Sequence, residues 1–264
     1  MVDVIPPVAS ELRGAPLFYS KPEPLNPAVH GGIGLRRVDR PFAFAAASHF
    51  VPLTVVEFQQ AALSYPIIFA GDQRQPLAMM GVNAGQNMWV RDGMFEPGAY
   101  IPAYVRRYPF VLAADDKREK LVVCIDRAAP MIGDLPDLAL FDAEGQPTDY
   151  TKNCINFCND FETEVRRTES FVTLMKDLDL FETRTANYTP ANSDGSPGPT
   201  QLVAEFFAIS EDKLKGLPEA KIHELFNNGA LMAIHAHLIS LNGWDRLIGK
   251  TLASAARPAA ANVN

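Results

Sequence analysis

Two arginines stand between two tyrosines at Tyr104-Val105-Arg106-Arg107-Tyr108. A guanidinium presents a planar fork of N–H donors that matches a carboxylate or phosphate, and it also lies well over an aromatic ring. Trp89 and Glu96 stand shortly upstream. Trp89, Glu96, Tyr104, Arg106, Arg107 and Tyr108 are therefore the candidate lining of a pocket for a small anionic ligand. The structural alternative is that one arginine pairs with Glu96 or Asp126 while the tyrosines fill a core, since such ion pairs are common and weigh little. The two readings differ in one observable: whether Arg106 or Arg107 is unpaired and faces a concavity.

Other chemistry is weaker. Gly31-Gly32-Ile33-Gly34 is glycine-rich, but no strong strand precedes it and no Gly-Lys-Ser/Thr follows, so a plain loop is expected. Cys154 and Cys158 lie one helical turn apart without a further cysteine or a well-placed histidine, which suits small core residues and no metal. His235 and His237 are two apart, about 200° around a helix, and cannot chelate one ion from a regular helix. A buried histidine bonded to a carbonyl is the expected reading of His235. The acidic pairs Asp115-Asp116 and Glu211-Asp212 fall in loops or helix starts, where solvation or the helix dipole accounts for them. The sequence has no His-Glu-x-x-His, no Gly-x-Ser-x-Gly elbow and no dinucleotide fingerprint after a strand. No catalytic residue, metal or cofactor is expected.

The elements that would position these residues read as α+β. The 264-residue chain is 47% hydrophobic and 21% charged, ordinary for a globular protein. Its net charge of −7, without a lysine-arginine block, argues against nucleic acid or an anionic membrane surface as the main partner. No run of about 18 apolar residues exists, so no membrane span is expected. The first residues, MVDVIPPVASELRG, lack a basic start and a continuous apolar core, and three cysteines suit a reducing compartment. A cytoplasmic protein is expected.

The expected fold is a mixed, mostly antiparallel sheet with short interrupting helices over 15–147, then a helix-rich part over 148–252. The whole forms one domain, with a loose lead at 1–14 and a flexible tail at 253–264. Strands are expected at Leu17–Tyr19, Phe42–Ala47, Phe50–Leu53, Ile67–Ala70, Leu77–Val82, Met88–Val90, Phe110–Ala113, Leu121–Ile125 and Leu202–Ile209. The charged run 115–119 reads as a hairpin loop. Thr54 with Glu57 three residues later has capping-box spacing and starts a helix to Ser64. Pro102 opens a short helix that ends before Pro109. The longest helix covers 149–179, with Cys158, Phe161, Val165, Thr168, Val172 and Met175 as one apolar stripe. That stripe is either core or the interface of a homo-oligomer. Residues 186–199 read as a loop, and helices follow from Ser210, from Pro218 and over Ala230–Leu241, with a last turn or two from Trp244.

Four long runs resemble the SapC family, named after a bacterial surface-layer protein locus. They are VPLTVVEFQQAALSYPIIFAGD at 51–72, FEPGAYIPAYVRRYPFVLA at 95–113, LVVCIDRAAP at 121–130 and ISEDKLKGLPEAKIHELFNNGALMAIHAHLISLNGWDRL at 209–247. The resemblance extends from about Phe18 to Leu247, and it does not concern the membrane-spanning peptide-transporter subunit of the same name. It implies an accessory role, with a protein partner in surface-layer protein production or export, or a link to outer-membrane uptake systems and halogenase-like flavoproteins. It carries no catalytic residues over to this chain. The one local departure, Asn242-Gly243 where Gly-Asn is usual, touches a helix cap.

Overall fold

The computed structural model describes residues 16–115, 120–190 and 196–255. The expected lead at 1–14, the hairpin tip at 116–119, residues 191–195 of the expected loop and the tail from 256 onward lie outside the described residues. In chain order the elements are β1 (Pro22–Pro24), α1 (Pro27–His30), β2 (Ile33–Leu35), β3 (Phe50–Pro52), α2 (Phe58–Ala61), β4 (Ile67–Ala70), β5 (Gln75–Met79), β6 (Val90–Arg91), β7 (Met94–Phe95), α3 (Ala103–Arg106), β8 (Phe110–Asp115), β9 (Lys120–Asp126), β10 (Ile132–Asp134) and β11 (Leu138–Ala139). Then come α4 (Asp149–Asp177), β12 (Phe181–Tyr188), β13 (Gln201–Ile209), α5 (Glu211–Lys215), α6 (Glu219–Asn227), α7 (Ala230–Ser240) and α8 (Gly243–Ala255).

Every described ladder is antiparallel, so the fold is α+β as expected. The main sheet has the order β12-β13-β4-β5-β3, a second has β1-β9-β8, a third β10-β2-β11, and β6-β7 is a lone hairpin. Turn chemistry explains the tight connections. Asp92 (φ 52°) and Gly93 (φ 76°) make the two-residue hairpin turn of β6-β7, in which both central residues must be left-handed. The glycine run near residue 31 is a packing site: a Cβ on Gly34 would come within 2.1 Å of the Leu138 carbonyl, so glycine lets β11 lie close on β2.

Of three hydrophobic clusters among the described residues, α4 belongs to the two larger ones. Its first turns place Cys158 with Phe110, Ile125, Ile132 and Leu140 beneath the smaller sheets. Its later turns place Phe161, Phe171, Val172 and Met175 with Phe58, Phe69 and Ile67 of the main-sheet core. At 29 residues the helix is roughly 43 Å long, enough to span both. Thr148 starts it by accepting from the Thr151 N–H. The apolar stripe is mostly covered within the chain: Cys158, Phe161, Thr168, Val172 and Met175 are buried, and Val165 is half-buried at the edge of a groove. That face is core, and it is not the free interface that the oligomer reading needed.

Several local expectations are corrected. Leu17–Tyr19 is a turn with Phe18 at φ 80°, pinned where the Tyr19 hydroxyl donates to the Phe110 carbonyl (2.6 Å). Ala43–Ala45 is a single 3₁₀ turn and not part of a strand. Met88 and Trp89 sit in a turn, with only Val90 entering β6. The capping box at Thr54 is present, but it opens a 3₁₀ turn, Val55–Glu57, that leads into the four-residue α2. β12 was not foreseen: its Thr, Arg and Asn residues hide a strand that only the register with β13 reveals. Helix α8 is longer than a turn or two and reaches Ala255, because Trp244, Leu247 and Ile248 have a core to enter. Phe206 and Phe207 take opposite faces, the first stacked on Trp244 at 5.4 Å and the second beneath Arg74.

Candidate functional site

Glu57 organises the neighbourhood of the paired arginines. Its side chain is almost fully buried. One oxygen accepts from Thr54 N (2.9 Å) and Thr54 Oγ1 (2.7 Å), and the other from Ala103 N (2.7 Å) and Tyr100 Oη (2.9 Å). One carboxylate thus caps two short helices, the 3₁₀ turn after Thr54 and α3, satisfying orphan N–H groups that four-residue helices cannot pair themselves. Burial first, then the Glu57 charge, pushes the Tyr100 phenol up to about 12. This clamp fixes where α3 begins, and hence which way its arginines point.

The two arginines diverge by one helical step. Arg106 is exposed: its Nε donates to the Ile101 carbonyl (3.0 Å) and its guanidinium lies 5.2 Å from the Phe157 ring. Arg107 turns inward between rings, with its guanidinium carbon 4.1 Å from the Tyr104 ring centre, 4.6 Å from that of Phe161 and 5.8 Å from that of Tyr19. Its Nε is buried without a hydrogen-bond partner, and among the described residues no carboxylate pairs with it. Burial raises the phenols of Tyr19 and Tyr104, while the Arg107 charge pulls the other way. Burial also pushes the Cys158 thiol up to about 11 despite Arg107. That thiol is a core atom and no nucleophile at neutral pH.

Arg107 and Tyr104 open on a groove of about 670 Å³ between α4 and the β4–β5 turn. Its far wall is Glu162, Val165, Glu169, Thr173 and Lys176, and its near wall runs through Thr54, Gly71, Asp72 and Gln75. Lys176 Nζ donates to the Asp72 carbonyl (3.0 Å) and closes one end. Of these α4 residues the sequence reading places only Val165 in the apolar stripe. Their three-and-four spacing, beside the apolar stripe, is the signal that a second, half-exposed stripe flanks it.

The remaining candidates lie elsewhere. Trp89 is buried against Tyr65 with the Lys250 ammonium above it (5.4 Å), and Glu96 pairs with the same lysine of α8. Tyr108 stacks on Phe44 (4.1 Å) and donates to Asp126 (3.3 Å). Neither expected ion pair forms. Glu96 is taken by Lys250, while buried Asp126 accepts from the N–H groups of Ser20, Lys21 and Ala128. Of the six residues, only Tyr104 and Arg107 share the groove.

The histidines separate as well, but the buried one is His237. Its Nδ1 lies 3.0 Å from the Ile67 carbonyl and its Nε2 accepts from Ile209 N (3.0 Å), whereas His235 is exposed and bonds its own helix at Leu231. Among the described residues no group of three His, Cys, Asp or Glu side chains could hold a metal, and no helix is long and apolar enough to cross a membrane.

In comparison with known families, the SapC family model aligns with residues 25–247. No curated protein and no solved structure matches the chain.

Proposed function

This chain belongs to the SapC family, and on that premise we propose that it works by binding. It is an accessory protein of a surface-protein export or outer-membrane uptake system, and it takes an anionic group of its ligand or partner into the α4 groove. The observation that carries this reading is Arg107. A guanidinium held among three rings, with a buried Nε that has no hydrogen-bond partner and no ion pair to a carboxylate among the described residues, is suited to take up an anion from outside. The groove volume lies within the roughly 300–1,000 Å³ typical of ligand pockets. Its Thr, Gln and Glu rim supplies acceptors and donors for a polar body behind the anionic group. Three free thiols, Cys124, Cys154 and Cys158, support work in a reducing compartment, the cytoplasm.

The test is native mass spectrometry of the protein purified from its own host, as wild type, Arg107→Gln and Arg106→Gln. Wild type and Arg106→Gln are expected to carry the same small-molecule adduct or co-purifying protein, and Arg107→Gln to lose it with little change in Tm. Retention by Arg107→Gln, or a bare mass for the wild type, would overturn the proposal.

A further inference from the structure

β12 ends the main sheet, and among the described residues no strand pairs with its outer side. Which backbone groups face outward follows from one bond: Ser210 N donates to the Leu180 carbonyl (2.8 Å). Successive residues of an antiparallel strand bond alternately to either side. The even-numbered residues therefore face β13, and Phe181, Thr183 and Thr185 turn their N–H and C=O groups outward. Lys213 Nζ, which reaches the Phe181 carbonyl from outside the sheet (2.9 Å), agrees. The register runs unbroken from Phe181 to Ala186 before a bulge, and Thr183, Arg184 and Thr185 are exposed. An edge of this kind is a template for another strand.

The side chains say which strand fits. Glu182 and Arg184 flank Thr183 on one face and already touch at 3.3 Å. If a second copy pairs antiparallel about Thr183, each Glu182 stands opposite an Arg184 and each Arg184 opposite a Glu182. Charges then alternate both along and across the seam, the arrangement cross-strand pairs favour. These are the non-hydrogen-bonded positions of that seam, where facing side chains come closest. Thr183 meets Thr183 as the hydrogen-bonded pair. A pattern that is its own complement under two-fold rotation is what an isologous contact requires.

We propose that the chain self-associates through β12 about a two-fold axis at Thr183, joining two main sheets into one continuous sheet. The Lys213 contact at Phe181 and the bulge after Ala186 confine the seam to a short stretch, so the dimer is concentration-dependent and not obligate.

Sedimentation velocity of the full chain over a dilution series tests this. The wild type is expected to pass from monomer to dimer as concentration rises. Arg184→Glu sets like charges opposite each other and should raise the dissociation constant at least tenfold, and the swapped double variant Glu182→Arg/Arg184→Glu should restore it. Thr183→Pro removes an outward N–H without touching the inner ladder, and should abolish the dimer with an unchanged circular dichroism spectrum. If Arg184→Glu does not fold, Thr183→Pro decides alone. A wild type that stays monomeric throughout, or a dimer that survives Thr183→Pro, would overturn the inference.

Discussion

At the scale of single residues, three buried polar groups outside the groove are matched to backbone. Glu57, Asp126 and His237 each take up N–H groups that no strand or helix pairs, and their burial is balanced by those bonds. His237 carries a consequence for pH. Burial first, with a smaller push from the Arg184 charge and against the Ile67 carbonyl bond, lowers its pKa to about 3. An unfolded histidine titrates near 6.5. Between the two values the unfolded chain binds more protons, so this group's contribution to stability is full above about pH 6.5 and falls on acidification toward 3, by up to about 1.4 kcal/mol per pH unit. Urea midpoints at pH 7.5 and 5, compared between wild type and His237→Gln, isolate the term. The wild type should lose more than the variant, and parallel losses would show that native His237 protonates normally. Arg106 and Arg107 teach a second lesson at this scale. They are neighbours with one chemistry in sequence, yet α3 sends one to solvent and the other between Tyr104 and Phe161.

At the scale of elements, α4 does most of the organising. Its apolar stripe was legible because Cys158, Phe161, Val165, Thr168, Val172 and Met175 recur at helical spacing, and all but the half-buried Val165 are buried. Met175 is fully buried in the main-sheet core, so Met175→Ala leaves a cavity and should cost roughly 2–5 kcal/mol. Arg167, on the opposite side with an ion pair to Glu164 at 3.9 Å, should change stability by less than about 0.5 kcal/mol when replaced by Ala. Chemical denaturation of both variants checks the contrast. Equal effects would mean that the helix packs by a different face. β12 shows the converse case. FETRTANY has no clean alternation, because this edge strand buries little of either face, Ala186 alone being buried; it is a strand because β13 lies beside it.

At the scale of the whole molecule, the chain is fastened end to middle. Helix α8 brings Trp244 onto Phe206, Lys250 onto Glu96 and Arg246 onto the Ser64 carbonyl, three links from the last element back to β13, the β7 turn and the end of α2. Ending the chain after Asn242 would strip Trp244, Leu247 and Ile248 from the core, roughly 1.5–3 kcal/mol for each large side chain. Such a truncation should lower Tm sharply relative to the full chain, or precipitate. A scanning calorimetry trace of each settles the point.

Sequence alone determined the family, the α+β class, the long helix and most of its buried stripe, the capping box at Thr54 and the helix start at Ser210. All of these rest on local periodicity, on residues that suit only one backbone conformation, or on long matching runs. Tertiary structure decided what those signals cannot carry. It placed Glu96 with Lys250, 154 positions away in the chain, and gave Asp126 to the N–H groups of Ser20 and Lys21. It chose His237 over His235 for burial, and it parted Arg107 from Arg106. Each of these outcomes depends on which distant backbone arrives at a side chain, and nothing in the order of neighbouring residues encodes that arrival.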